Sequence, residues 1–579
     1  MSGFNAISPR RPDLRSHHIL LDADEFVTKY DLDDLRDEIR TGALLVDDPD
    51  HLGCVEGLAD EEARALALER QPIPVFSRTL FSWPWRFPCV CTIGGLLWGF
   101  MESLFGQLLL NIDPSYAEPG TDIAKHIAKL MEGWSVWIAN IVGLWCAVPL
   151  LRLLGRRGAG YGVVGLKLAS LLVLLVFPTF SSTATYKAFV ATASGMFPCI
   201  VSMYIAETAP VSQRGSIFIA WQGSQAAGTW LFSQLIFRDI DPSSHAYWLI
   251  ALCLIGMWMC FRVSPESPYW HARNGEMRQA YKALMRCRRT AIQASRDLYR
   301  IYLIGTQKAG RTTVRHVLQA LAITTVLLLS MIVPNVLAML LMFSYLEGVQ
   351  EYGIQILTRL LVPSLITSAL MMFLLPLSIN LIERFGRRGL ILASMSVVSC
   401  IIFAMMLSGP SIAISLLLVV PFSIHNMVWR LYAAEVSCSV GREEAMAATL
   451  TVSLLQGTGI AYWTVSIVEN RPAWLSPNYV LRAPISFFFV LHCVCMILLF
   501  LLLIETRGCT LEEILALLQA SLVNRVAYRI RVYTPYIFKR IFLRQHVKLE
   551  TFEESEYGTG AIRLGAIDTA PTFRSNSFV

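Results

Sequence analysis

Long apolar runs separated by short polar turns fill most of the chain between residues 88 and 504. Stretches 166–177, 323–341 and 487–504 are almost uncharged and approach or reach the length of a bilayer crossing. Inside hydrocarbon, only helices and closed barrels bond all of their own backbone groups. Barrel strands are about ten residues long and alternate in polarity; these runs are longer and do not alternate. The pattern therefore predicts an all-α membrane protein with helices near 88–110, 132–154, 160–180, 186–206, 214–237 and 245–262. Six more are predicted near 316–343, 355–383, 389–408, 411–432, 445–468 and 483–504. The expected organisation is an N-terminal segment (1–87), a six-helix bundle (88–262), a central loop (263–315), a second six-helix bundle (316–504) and a tail (505–579).

Composition agrees with a membrane solvent. Hydrophobic residues make up 54% and charged residues 16% of the 579, against about a quarter charged in soluble proteins. The N-terminal segment is polar and acidic (Asp22, Asp24, Glu25, Asp31, Asp33, Asp34, Asp37, Glu38) and has no early apolar core. No cleavable signal peptide is expected, and the first membrane helix serves as the insertion signal. Most of the thirteen cysteines fall inside apolar runs, which reads as buried free thiols rather than a disulfide framework.

Basic residues set the expected orientation. Arg156 and Arg157 follow the second span, Arg214 the fourth, Arg384, Arg387 and Arg388 the eighth, Arg442 the tenth and Arg507 the twelfth. The central loop adds Arg286, Arg288, Arg289, Arg296, Arg300, Lys308 and Arg311. All lie on one side, which the positive-inside rule makes cytosolic, together with both termini. In the tail, residues 525–548 interleave arginines and lysines with Tyr528, Tyr533, Tyr536, Phe538 and Phe542. Such a segment is expected to lie on an anionic leaflet rather than on nucleic acid.

Three polar signatures occur twice. Gly155-Arg156-Arg157-Gly158 returns as Gly386-Arg387-Arg388-Gly389, 231 residues on. Glu207 with Arg214 returns as Glu435 with Arg442, both at 228, and Glu266 returns as Glu505 at 239. Three ordered pairs at nearly one offset indicate a duplicated six-helix unit. As half-exposed pairs they are expected to add only about 0–1 kcal/mol each to stability. Formed in one state and broken in another, they would still bias a two-state equilibrium and so gate it. The plainer alternative is that they fix topology and cap helix ends, which is the reading preferred for Arg384.

These motifs resemble the sugar porter family of the major facilitator superfamily across nearly the whole chain. The carriers of the resemblance are the two Gly-Arg-Arg-Gly loops, Ala206-Glu207-Thr208-Ala209-Pro210 with Arg214-Gly215, Pro265-Glu266-Ser267-Pro268, and Glu505-Thr506-Arg507-Gly508-Cys509-Thr510-Leu511-Glu512-Glu513. The phrases at 42–50 and 291–299 are similar to fungal sugar and polyol transporters. The resemblance implies two six-helix bundles related by a pseudo-twofold axis, alternating access, and often proton symport of a sugar, polyol or related solute.

Departures from the family pattern gather in the cavity. Where the family places a proton-binding Asp, this chain has Met101, with Glu102 about 100° further round the helix. Glu102 reads as a displaced proton carrier, a substrate acceptor or a structural rim residue. Gln222 keeps the family's spacing for a hydroxyl-binding glutamine, and a helix–helix hydrogen bond is its alternative role. The seventh helix lacks the family's glutamine pair; Asn335 is the one amide nearby. The tenth reads Asn426-Met427-Val428-Trp429-Arg430, which leaves Trp429 to stack on a ligand. Arg430 either snorkels to the interface or faces the cavity, where it would suit an anionic substrate. Arg152 stands where an acidic latch partner is usual, whereas the second half keeps Glu383. The first-half latch is therefore expected to be weaker or differently paired.

The function expected is secondary active transport of a small organic solute, with protons as the coupling partner and lipid as the solvent. An exporter or carrier of a secondary metabolite or organic acid, and a non-transporting nutrient sensor, are the alternatives. Nothing suggests an enzyme: there is no Gly-x-Ser-x-Gly elbow and no phosphate-binding loop, and His425 and His492 lack ligand spacing. No cofactor or metal is expected, and the chain is read as a monomer in the plasma membrane or an internal membrane such as the vacuole's.

Overall fold

A computed structural model describes residues 14–47, 60–70, 86–111, 122–176, 180–237, 242–306, 313–332, 356–408, 412–437, 441–469, 477–519, 521–541 and 543–544. Among these residues all regular structure is helical. The first bundle contains α4 (Arg86–Asn111), α5 (Asp122–Leu153), α6 (Gly155–Val176), α7 (Phe180–Thr208), α8 (Arg214–Phe237) and α9 (Pro242–Val263). The second contains α13 (Thr313–Ser330), α14 (Ile356–Ser408), α15 (Ile412–Val436), α16 (Arg442–Glu469) and α17 (Pro477–Leu502). Helix α14 holds two predicted spans, which meet at Gly386 with φ 78° and ψ 175°. Among the described residues a helix overlaps each of the twelve predicted positions, and residues 333–343 of the seventh lie outside them. Apolar side chains face outward where lipid would be, as with Trp248 and Leu252 on α9, Leu407 on α14 and Ile497 on α17.

Small residues set the helix spacing. On α4, a Cβ at Gly99 would strike the Gln225 carbonyl of α8, and one at Gly228 of α8 would strike that of Leu96. Gly143 of α5 and Gly195 of α7 press in the same reciprocal way on Thr192 and Asn140. Without a hydrophobic drive between helices in lipid, such close backbone contact is a main source of association. Between the halves, α8 packs along α14, α5 along α16, and α15 reaches both α7 and α8.

Outside the bundles, the N-terminal segment and the central loop form one body, which the sequence pattern did not anticipate. Beyond the short α10 (Pro268–Arg273), helices α1 (Leu14–Lys29) and α2 (Arg36–Asp47) pack on α11 (Met277–Cys287) and α12 (Ala291–Thr306). Phe26, fully buried, meets Tyr302 at 4.3 Å and Tyr30 at 5.3 Å between ring centres. Helix α3 (Asp60–Arg70) is held through Arg296 to Glu69 (3.1 Å) and Gln293 Nε2 to the Ala65 carbonyl (3.2 Å). Burial alone would raise the Asp297 carboxyl, but Arg296, Arg288 and Arg300 outweigh it and hold the group below the usual carboxylate range. Arg288 ties this body to the first bundle: Nε donates to Asp297 (2.6 Å) and Nη1 to the Thr208 carbonyl at the end of α7 (2.9 Å).

The tail is also more embedded than expected. Helix α18 (Leu511–Gln519) and α19 (Leu522–Tyr528) run into a wide turn at Arg529–Tyr533 and then α20 (Thr534–Ile541). Arg525 and Tyr528 are buried, and Arg525 Nη2 donates to Gln319 Oε1 of α13 at 3.1 Å. Val523, Ile530 and Phe538 remain exposed among the cations, a mixture suited to a bilayer interface.

Candidate functional site

Each Gly-Arg-Arg-Gly loop opens on a left-handed glycine, Gly155 at φ 77° and Gly386 at φ 78°. The turn aims two successive backbone N–H groups at one carboxylate. Glu266 accepts from Arg156 N (2.7 Å) and Arg157 N (3.0 Å), and Glu505 accepts from Arg387 N (2.9 Å) and Arg388 N (3.1 Å). The first arginine of each loop then turns inward. Arg156 grips Glu207 through two N–H groups (2.7 and 2.6 Å), and Arg387 grips Glu435 (3.3 and 3.2 Å). The Ser267 and Thr506 hydroxyls donate to the same two carboxylates. The second arginine caps a helix end: Arg157 donates to the Arg262 carbonyl (3.2 Å) and Arg388 to that of Phe500 (3.1 Å). The sequence repeat is thus a repeated three-dimensional unit.

Burial corrects the expected energetics. Arg156, Glu207, Arg387 and Glu435 are all at most 4% exposed, not half-exposed. Removing one member of a buried pair strands its partner, at about 3–5 kcal/mol rather than 0–1.

The two units are also joined to each other. Arg442 of the second half donates to Glu207 of the first at 2.6 Å. Glu443 accepts from Arg156 (3.2 Å) and Arg273 (3.4 Å). Arg214 approaches Glu435 at 3.8 Å and donates to the Cys509 carbonyl at 3.5 Å. Arg152 is paired with Glu444 of the second half. Glu383 accepts from the backbone and hydroxyl of Ser216 in the first half (3.1 and 3.0 Å) and lies 3.6 Å from Arg387. The missing acid at Arg152 is therefore compensated by an exchange of signs. Ser216 and Glu444 stand 228 residues apart, at matching places in the two halves, so the carboxylate has moved to the facing helix. Glu443 and Glu444 open α16, where carboxylates also suit the helix N-terminus. The charged end is closed in this state.

Glu102 is not a lone carboxylate. It is paired with Lys167 of α6, which is fully buried, and accepts from Ser194 Oγ of α7 at 2.8 Å. The Lys167 ammonium also sits 4.1 Å from the ring centre of Trp98, which stacks on Phe197 at 3.6 Å. Sequence reasoning overlooked Lys167. Its signal was a lysine inside an apolar run, a placement that calls for a counter-charge.

Of the positions expected to line a cavity, Gln222 is 8% exposed and its Nε2 has no partner among the described residues. Trp429 is 2% exposed and donates Nε1 to Asn426 Oδ1 at 2.9 Å. Arg430 is half-buried beside it, 5.6 Å from the Trp429 ring centre. Asn335 lies outside the described residues.

Comparison with known proteins fits this architecture. The model of the family described as "Sugar (and other) transporter" matches residues 90–518. The chain is 29% identical over 218 residues to the sugar transporter ERD6 of Arabidopsis thaliana, covering 35% of this chain and 40% of ERD6. The aligned stretch thus spans less than half of that relative. Among solved structures, the proton:xylose symporter XylE bound to 6-bromo-6-deoxy-D-glucose superposes with a TM-score of 0.61 at 19% identity, over 76% of this chain and 99% of that one. A partially occluded inward-open form of XylE from E. coli gives 0.51 at 18% identity, over 74% and 100%. At such identities the superpositions speak for the fold alone. With a family model matched over well more than half of its length, the chain belongs to the Sugar (and other) transporter family.

Proposed function

We propose that the protein is an alternating-access transporter of a small organic solute, with the charged end and both termini in the cytosol. The observation that carries this reading is the duplicated, buried ion-pair unit, sealed across the halves by contacts that depend on the closed arrangement. Arg442 to Glu207, Arg156 to Glu443 and Arg152 to Glu444 all join one half to the other. Separation of the halves would break these bonds and leave the pairs within each half intact, which is what a reversible gate requires.

Proton coupling is assigned to the Glu102–Lys167 pair rather than to an isolated acid. The Lys167 ammonium neutralises Glu102 at rest, and protonation of Glu102 would free that cation to repel or recruit charge. The protein acts as a monomer in the plasma membrane or an internal membrane.

Counterflow in proteoliposomes tests the reading. Vesicles loaded with unlabelled sugars, polyols or sugar acids are expected to accumulate the labelled form of at least one of them transiently. Absence of counterflow for every solute, with folded protein in the bilayer, would overturn transport.

A further inference from the structure

We propose that the cavity takes an organic anion, whose carboxylate is held by Arg430 and Asn426 of α15 together with Gln222 of α8. This rests on the transport reading and names its substrate class.

The first observation is the isolation of Arg430. Among the described residues its recorded contact is the ring of its neighbour Trp429, and its buried Nε has no hydrogen-bond partner. The carboxylates placed inside the bundles are otherwise engaged, Glu102 with Lys167 and Glu435 with Arg387. An arginine at membrane depth without a carboxylate calls for an anion from elsewhere.

Direction is the second. On α15, residues 423–425, 427–429 and 431–437 are buried, while Phe422, Asn426 and Arg430 are partly open. These three recur every fourth residue, so they share a face. Lipid-facing positions on other helices are more exposed and apolar, as with Trp248 at 76% and Leu407 at 72%. A half-open stripe that carries Asn426 and Arg430, with Phe422 against the core, on a helix that packs against α7 and α8 of the other half faces space within the protein. Snorkelling toward the charged end does not fit either. Helical side chains lean toward their own N-terminus, and the charged end, marked by Glu435, is at the C-terminus of α15. Arg430 thus leans into the molecule.

Third, a cation and amide N–H groups are on offer together. Asn426 Oδ1 is taken by the Trp429 indole N–H, which fixes its amide orientation and leaves Nδ2 to give. Gln222 Nε2 is buried and unmatched. Gln222 lies eight residues from Arg214 and Arg430 five from Glu435, depths of about 12 and 7.5 Å from the charged end. A neutral polyol brings as many donors as acceptors, whereas a carboxylate brings acceptors only, and an Arg fork binds it bidentately.

The test uses the purified full-length protein and ligand-induced shifts in thermal unfolding. Gluconate and glucuronate are compared with their neutral counterparts sorbitol and glucose, and with inorganic phosphate. The carboxylates are expected to stabilise the wild type more strongly than the neutral compounds. Arg430→Gln should weaken carboxylate binding about ten- to hundredfold, with Arg430→Lys in between. Equal response to the charged and neutral members, or no response to either carboxylate, overturns the proposal in the wild type alone, whether or not the variants fold. Stabilisation by phosphate without gluconate or glucuronate overturns it as well, since the site would then be one for inorganic anions. Counterflow of a neutral sugar that persists in Arg430→Gln would overturn the anion and leave transport standing, whereas loss of counterflow for every solute in the wild type would overturn transport itself.

Discussion

Replacing Glu443 by glutamine isolates the contribution of the seal between the halves. This carboxylate, 3% exposed, belongs to the second half and receives Arg156 of the first half at 3.2 Å and Arg273 of the central loop at 3.4 Å. Arg156 keeps its two bonds to Glu207 in the variant, so the first half is not undone. Hydrogen bonds to charged groups contribute about 1.5–3 kcal/mol net. Both bonds here are long, and glutamine keeps one acceptor, so the lower figure applies. A loss of about 1.5 kcal/mol from the closed state alone changes the closed-to-open ratio roughly tenfold. Native thiols report it. Cys199, fully buried on α7 within electrostatic reach of Glu443 and Arg156, and Cys509, beside Arg214, should react with a membrane-permeant maleimide about tenfold faster. Cys495, buried on α17, should not change. Mass spectrometry reads each cysteine separately. Unchanged rates at Cys199 and Cys509 would refute the gating argument, and equal acceleration at all three would mean general loosening instead.

Three other substitutions follow from the geometry. Gly386→Ala forces a left-handed side chain, costing about 1–2 kcal/mol, and sets a Cβ 2.5 Å from Glu505 Oε2; the melting temperature should fall, while Gly162→Ala, with open space around it, should leave it alone. Phe26→Ala removes the buried ring joining the N-terminal segment to the central loop, at about 3–5 kcal/mol, and limited proteolysis should then cut within residues 14–47; an unchanged digest would mean the segment is held otherwise. Glu102→Gln strands the buried Lys167 and should lower stability by about 3–5 kcal/mol, whereas Glu102→Gln with Lys167→Met should restore most of it. That double variant should retain exchange but lose pH-driven uptake; if uptake keeps its pH dependence, the pair is structural.

Much of the fold was legible in the sequence because hydrocarbon imposes one rule on every span. Runs of apolar residues become helices wherever the backbone must bond itself, and among the described residues a helix overlaps each predicted position. The ion-pair unit was legible through repetition: offsets of 231, 228 and 239 correspond to matching hydrogen-bond units around Glu266 and Glu505. The joining of the halves was not, because Glu443 and Glu444 belong to no repeated phrase. Their roles depend on which helix faces which across the seal. Lys167 was missed for a related reason, since a single cation carries no spacing to read. The body formed by α1, α2, α11 and α12 rests on apolar positions such as Ile19, Phe26 and Leu298, scattered through polar segments and united only by packing.

The central claim, that the ion-paired end opens and closes as one gate between two halves, is tested most directly by a distance. Spin labels at Leu153→Cys and Phe385→Cys, exposed positions at the charged ends of opposite halves, can be measured by pulsed electron resonance in lipid nanodiscs after the native reactive thiols are replaced. Two distance populations are predicted, the shorter matching the closed structure, with the longer enriched by Glu443→Gln and redistributed by a transported solute. A single distance, unmoved by the substitution and by every solute that binds, would contradict the account.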